Sequence, residues 1–257
     1  MKVVILAGGR GSRLSEETYL KPKPMVEIGN APILWHIMKI YSHYGYNDFI
    51  ICCGYKGEMI KEYFMDYYIR ASDVTIDLSD NSYEVHGNVV EPWKVTLVDT
   101  GLNTNTAGRI MKIKKYLNNE SFMLTYGDGV SDVNINKVVE FHKNNNTIGT
   151  ITAAKPAGRW GTIQISDNDG KVKTFKEKAQ TERAWVNSGF AVFEYDIFNY
   201  LKDETQQLEM EPYDKLVQLG QMGAYKHYGF WHPMDTVNDK AVLEEYWNSG
   251  MAPWKVW

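Results

Sequence analysis

Apolar residues along this chain recur in two alternating rhythms over residues 1–146. Lys2–Ala7 is a short run of β-branched and aliphatic side chains, the composition of a strand buried on both faces. Ile33, Leu34, Ile37, Met38 and Tyr41 then recur at helical spacing behind Pro32, a residue suited to a first helical turn. Residues 49–53 form a second apolar run, and Met59, Ile60, Tyr63, Phe64 and Tyr67 mark another amphipathic helix. Between 72 and 98 the rhythm changes. Val74, Ile76 and Leu78, and later Trp93, Val95 and Leu97, alternate with polar residues, which predicts a half-exposed antiparallel pair inserted into the sheet. A helix is predicted over 106–117, a strand over 121–126 ending at Gly127-Asp128-Gly129, and a helix over 134–143. From 147 strands dominate, at 147–154, 161–166, 171–176 and 186–194, with Asp169-Gly170 as a tight turn. Helices return at 196–202, 212–219 and 235–247. This order predicts an α/β fold with a mostly parallel sheet and helices on its faces, in one body of two halves.

Composition narrows the chemistry. A chain of 257 residues can bury one substantial core. The net charge of −4 comes without a basic stripe, which excludes nucleic acid as a steered partner. Any phosphate chemistry must then rest on a few placed cations. Cys52 and Cys53 are adjacent within an apolar run and would point to opposite faces of a strand, so both read as core thiols. Without a CxxC or a disulfide framework, they suit a reducing cytoplasm. The six histidines lack HExxH or HxH spacing, which argues against zinc. No signal-peptide pattern and no apolar run of membrane-spanning length stands in the sequence, so a cytoplasmic protein without a membrane partner is expected.

The first candidate site follows the first strand. Gly8, Gly9 and Gly11 let the backbone approach a ligand closely, and their N–H groups can form an anion nest. Arg10 and Arg13 add charge, and Arg13 suits multidentate phosphate contact. Lys21 and Lys23 are presented from the stiff segment Lys21-Pro22-Lys23-Pro24. The loop alone reads also as a surface turn with solvated basic residues. Its place after the first strand of an α/β sheet favours a phosphate ligand. It is not a dinucleotide fingerprint, since Leu14 stands where the third glycine belongs, and it is not a P-loop. Asp128 ends an apolar strand between two glycines, where a carboxylate suits Mg²⁺ or simply an Asp-Gly turn. Asp235 precedes a predicted helix and reads first as an N-cap, with Thr236 and Asp239 resembling a capping box. Glu177 and Lys178 could take sugar hydroxyls and a sugar phosphate, or form a solvated face. Asn187 is polar within a strand-like run. The aromatic residues Tyr246, Trp247, Trp254 and Trp257 read as local packing or as a subunit contact.

Taken in order, Leu6-Ala7-Gly8-Gly9-x-Gly11-x-Arg13-Leu14, Lys21-Pro22-Lys23-Pro24-Met25, Gly127-Asp128 and Glu177-Lys178 resemble the sugar-phosphate nucleotidyltransferase family. Ile33-Leu34-Trp35-His36-Ile37-Met38, Cys52-Cys53-Gly54-Tyr55-Lys56-Gly57 and Gly229-Phe230-Trp231-x-Pro233-Met234-Asp235-Thr236 are similar to its cytidylyl branch. The likeness runs over almost the whole chain. It implies a Rossmann-like mixed, mostly parallel sheet flanked by helices, with a smaller strand-rich sugar-binding lobe. It also implies a single nucleotidyltransferase domain, with 1–146 as the nucleotide-binding half and 147–257 as the sugar-binding half and C-terminal helices.

The implied reaction is Mg²⁺-dependent. CTP and α-D-glucose 1-phosphate give CDP-glucose and pyrophosphate, a supply for surface polysaccharide such as O-antigen, from a homo-oligomer. The resemblance implies that Leu6, Ala7, Gly8, Gly9, Arg10, Gly11, Ser12, Arg13, Lys23, Thr104, Thr106, Arg109, Gly127 and Asp128 contact the nucleotide. Arg13, Lys23 and Asp128 are the implied catalytic residues, and Asp128 and Asp235 the implied Mg²⁺ ligands. Gly161, Glu177, Lys178 and Asn187 would hold the sugar phosphate. The family's Glu-Lys-Pro is here Glu177-Lys178-Ala179. Three other readings stay open: the same chemistry on another sugar 1-phosphate or with dTTP or UTP, a non-catalytic nucleotide-sensing subunit, and a nicotinamide oxidoreductase, which Leu14 weakens.

Overall fold

The computed structural model describes residues 1–87, 90–156, 162–165, 172–176 and 184–257. Its centre is a seven-stranded sheet. The strands are β1 (Lys2–Ala7), β2 (Asp48–Cys53), β3 (Lys94–Asp99), β4 (Phe122–Tyr126), β5 (Gly149–Ala154), β6 (Val186–Phe193) and β7 (Met222–His227). Their order across the sheet is β7-β5-β6-β4-β1-β2-β3. β1 is parallel to β2 and β4, β2 to β3, and β5 to β7. β6 runs against both β4 and β5. The longer helices are α1 (Ile33–His43), α2 (Gly57–Met65), α3 (Thr106–Ile113), α4 (Ile135–Asn145), α5 (Glu211–Gln218) and α6 (Val237–Asn248). No helix among the described residues is long and apolar enough to cross a membrane.

The continuous apolar runs arise because the sheet is covered on both faces. Val3, Ile5 and Ala7 of β1 enter one core with Ile33, Ile37 and Tyr41 of α1. Val4 and Leu6 enter the other, with Ala107, Ile110 and Ile113 of α3. Cys53 and Cys52 divide between the same two layers, and burial pushes both thiols above their ordinary range.

The chain lays β2 and β3 on one side of β1, then crosses to place β4 on the other. This reversal opens a crevice at the carboxyl ends of β1 and β4, where open α/β sheets bind ligands.

Several expected elements fall elsewhere. Residues 94–99 are not half of an inserted antiparallel pair; they form the parallel edge strand β3. The antiparallel pair in this region is Asp73–Asp77 with Ser82–His86. Tyr195–Tyr200 is a 3₁₀ turn rather than an α-helix, and β7 was not expected at all. The long strands of the second half lengthen the same sheet. A separate antiparallel pair is formed there by Thr162–Ile165 and Val172–Lys176. The turn expected at Asp169-Gly170 lies outside the described residues.

Candidate active site

The glycine turn leaves β1 directly into the crevice. A Cβ on Gly8 would sit 2.0 Å from the Arg109 guanidinium, so any larger residue there would push Arg109 out of its hydrogen bonds. Gly11 takes a left-handed φ of 63°, and its carbonyl accepts from the Thr18 hydroxyl and the Leu14 amide, which closes the turn. The turn lines a cleft of about 300 Å³. Leu6, Ala7, Gly9, Ser12, Arg13, Lys23, Thr104, Thr106, Arg109, Gly127 and Asp128 also face this cleft. Arg10, also expected at the nucleotide, is not among the residues lining the cleft and donates to Asn103 Oδ1 at 3.3 Å.

Asp128 and Asp235 are brought together by a short antiparallel pair. Gly129–Ser131, directly after Asp128, pairs with Trp231–Pro233, directly before Met234 and Asp235. The Met234 amide donates to the Asp128 carbonyl at 2.8 Å and locks the register. Asp235 is therefore not the helix cap. Thr236 caps α6, its hydroxyl accepting from the Asp239 amide, and Asp239 returns the capping box. Asp239 Oδ2 also accepts from the Asp235 amide at 3.1 Å, which holds the backbone beneath the Asp235 carboxylate.

Lys23 sits between the two carboxylates. Its ammonium donates to Asp128 Oδ2 and to Asp235 Oδ1, each at 2.7 Å, with 10% of the side chain exposed. Burial by itself would lower the lysine pKa, but Asp128 and Asp235 together outweigh it and hold the ammonium above the ordinary 10.5. Arg13 donates to Asp235 Oδ2 at 3.0 Å from a largely exposed side chain.

Among the described residues no three His, Cys, Asp or Glu side chains cluster as metal ligands. Two carboxylates already sharing one cation are nonetheless a donor set that fits Mg²⁺. That ion takes one or two carboxylates and completes its shell with water and phosphate oxygens.

Arg109 is buried, and both of its terminal nitrogens donate to protein. Its guanidinium donates to the carbonyls of Gly8, Cys53 and Gly101 and to the Thr100 hydroxyl. It therefore ties the carboxyl ends of β1, β2 and β3 together. Thr106 donates to Glu209 Oε2 at 2.7 Å, and Thr104 makes a longer contact to Glu204.

A second cleft, of about 220 Å³, shares Arg13, Tyr126 and Asp128 with the first and adds Asn187, Trp231 and Asp235. The Asn187 side chain accepts from the Gly189 amide at 3.0 Å. The expected sugar-phosphate residues Gly161, Glu177 and Lys178 lie outside the described residues. Tyr126, which walls both clefts and donates to Glu209, was not singled out from the sequence. Its place as the last residue of β4 was the available signal. Glu209 gave none, since its partners are distant in sequence, and Trp231 stood out only within the segment that carries the resemblance.

The Nucleotidyl transferase family model matches residues 2–247. A glucose-1-phosphate cytidylyltransferase of Salmonella typhimurium is 51% identical over 258 residues, covering 100% of both chains. A UTP–glucose-1-phosphate uridylyltransferase of Synechocystis is 27% identical, covering 86% of this chain and 56% of that protein. Among solved structures, a UDP-glucose pyrophosphorylase complexed with UDP-glucose matches with a TM-score of 0.69 at 16% identity, covering 97% of this chain and 98% of that one. The chain belongs to the nucleotidyl transferase family.

Proposed function

We propose that this protein is a glucose-1-phosphate cytidylyltransferase that converts CTP and α-D-glucose 1-phosphate to CDP-glucose and pyrophosphate with Mg²⁺. The reaction type is supported by the convergence of Arg13, Lys23, Asp128 and Asp235 beside the glycine turn. The choice of base and sugar is supported by full-length identity of 51% to a relative of that name, against 27% to a uridylyl relative.

In this reading the glycine turn and Arg13 hold the triphosphate in the larger cleft, and the sugar 1-phosphate lies in the adjoining one. A phosphate oxygen of the sugar 1-phosphate attacks the α-phosphorus of CTP in line. The new bond is oxygen to α-phosphorus. The bond that breaks joins the α-phosphorus to the bridging oxygen, which leaves with pyrophosphate. The nucleophile is already an anion, so the residues supply positioning and charge rather than a base. Asp128 and Asp235 would hold Mg²⁺, which when bound supplies charge neutralisation on phosphate oxygens. Among the described residues, Lys23 and Arg13 are the cations paired with these two carboxylates.

A homo-oligomer belongs to the same reading. It is supported by an open apolar groove lined by Phe64, Met65, Tyr68 and Trp93.

Pyrophosphate release from a panel of four nucleoside triphosphates against several sugar 1-phosphates tests the proposal. CTP with glucose 1-phosphate is expected to give the highest kcat/KM. A higher value for another pair would reassign the substrate, and no release from any pair would leave a nucleotide-binding subunit without this activity.

A further inference from the structure

The Lys23 ammonium stands where the proposed function puts a divalent ion. We propose that Lys23 is a place-holding cation: without nucleotide it fills the gap between Asp128 and Asp235, so that the ion enters only together with the triphosphate. The inference rests on reading these two aspartates as the metal-holding pair.

Charge and geometry both carry it. Among the described residues, Asp128 and Asp235 are joined to two cations, Lys23 shared between them and Arg13 on Asp235. A divalent ion arriving alone would add two positive charges beside two cations already there, one of them the buried Lys23 ammonium. It would also have to break two charge-assisted hydrogen bonds of 2.7 Å. A triphosphate brings the negative charge that takes up both the ion and the displaced ammonium.

The displacement is short. Lys23 opens the 3₁₀ turn Lys23–Met25 between Pro22 and Pro24, so its backbone is fixed. Its stem lies against Gly11, within 3.1 Å of where a Cβ on that glycine would stand. Rotation about the side chain alone moves the ammonium from the carboxylates toward a phosphate held by the glycine turn.

The test is binding of Mn²⁺ alone, read by electron paramagnetic resonance without nucleotide. Wild type and Lys23→Arg are expected to bind weakly. Lys23→Gln and Lys23→Met are expected to bind at least about ten-fold tighter, since each removes the competing charge. Adding Asp128→Asn to Lys23→Gln should abolish the gain. Neutral variants that bind no tighter than wild type would overturn the place-holding role.

If the gain survives in Lys23→Gln/Asp128→Asn, the ion sits elsewhere, and the reading of the aspartate pair falls with it. If the gain is missing but Asp128→Asn still weakens binding of Mn²⁺ with a non-hydrolysable CTP analogue, the aspartate reading stands and the place-holding role alone falls. Should the neutral variants not fold, wild-type thermal unfolding decides. Mn²⁺ alone should leave the Tm unchanged, while Mn²⁺ added to the analogue-bound protein should raise it. An equal rise from Mn²⁺ alone would overturn the proposal.

Discussion

Arg109 lines the larger cleft and also braces its wall. Its guanidinium donates to three carbonyls and a hydroxyl from the ends of three parallel strands, which fixes the Gly8 turn. A lysine has no planar fork and cannot bridge those acceptors together. Arg109→Lys is therefore expected to lower unfolding free energy by about 1–3 kcal/mol, because buried carbonyls lose their donor. It should raise KM for the nucleotide more than it lowers kcat, since the turn loosens while the carboxylates stay. Urea unfolding and steady-state kinetics check both; unchanged stability with a lost kcat would give Arg109 a direct role instead.

The glycines of this turn were legible because their requirement is local: a close approach at Gly8 and a left-handed φ at Gly11. The partners of Arg109 and Lys23 were not, because they come from strand ends and loops that only the sheet order brings together.

Elements were legible where packing repeats what the local pattern dictates. β1 and β2 are apolar throughout because both faces are buried, and α1 carries its stripe toward the same layer. Two strands of the central sheet were harder to read. Residues 94–99 alternate because β3 is an edge strand, half-exposed yet parallel. β7 has the sequence Met-Gly-Ala-Tyr-Lys-His, pairs on one side only, with β5, and carries no run of β-branched residues to mark it.

The start of α6 was legible as a capping box, but the cap's second duty was not. Asp239 accepts from the amides of both Asp235 and Thr236, so the device that begins the helix also sets the Asp235 carboxylate. Asp239→Asn should cost about 0.5–2 kcal/mol in thermal or urea unfolding, as for other lost caps. It should also weaken Mn²⁺ binding in the presence of the CTP analogue, although Asp239 itself lines neither cleft. A purely structural cap would move the stability and leave the ion's affinity alone.

At the scale of the whole molecule, the C-terminal segment is fastened to the N-terminal half through one neutral histidine. Glu244 of α6 accepts from the Gly29 amide, and Trp247 and Trp254 pack around His36 of α1. These tryptophans therefore pack locally against α1, and they add to the strand pairing that already joins the two halves in one sheet. Nε2 of His36 faces the Ile28 carbonyl at 2.9 Å, which can only accept, so Nε2 carries the hydrogen. Nδ1 is then left to accept from the Trp254 indole at 3.4 Å. A second proton would set two donors against each other in a fully buried place. Desolvation accordingly lowers the His36 pKa from 6.5 to about 4, with hydrogen bonds to the carbonyls of Ile28 and Ala31 opposing part of the shift.

Between these values the unfolded chain binds the proton and the folded one does not, so this contribution to stability is complete above pH 6.5 and falls as pH drops toward 4. The loss across that window is on the order of 3 kcal/mol. His36→Gln keeps a donor for the Ile28 carbonyl and cannot titrate. Urea midpoints measured from pH 4.5 to 7.5 should therefore fall more steeply for wild type than for the variant, by up to roughly that amount. Parallel curves would mean that His36 takes up its proton over the same pH range in the folded and the unfolded chain, so that the fold does not hold the ring neutral.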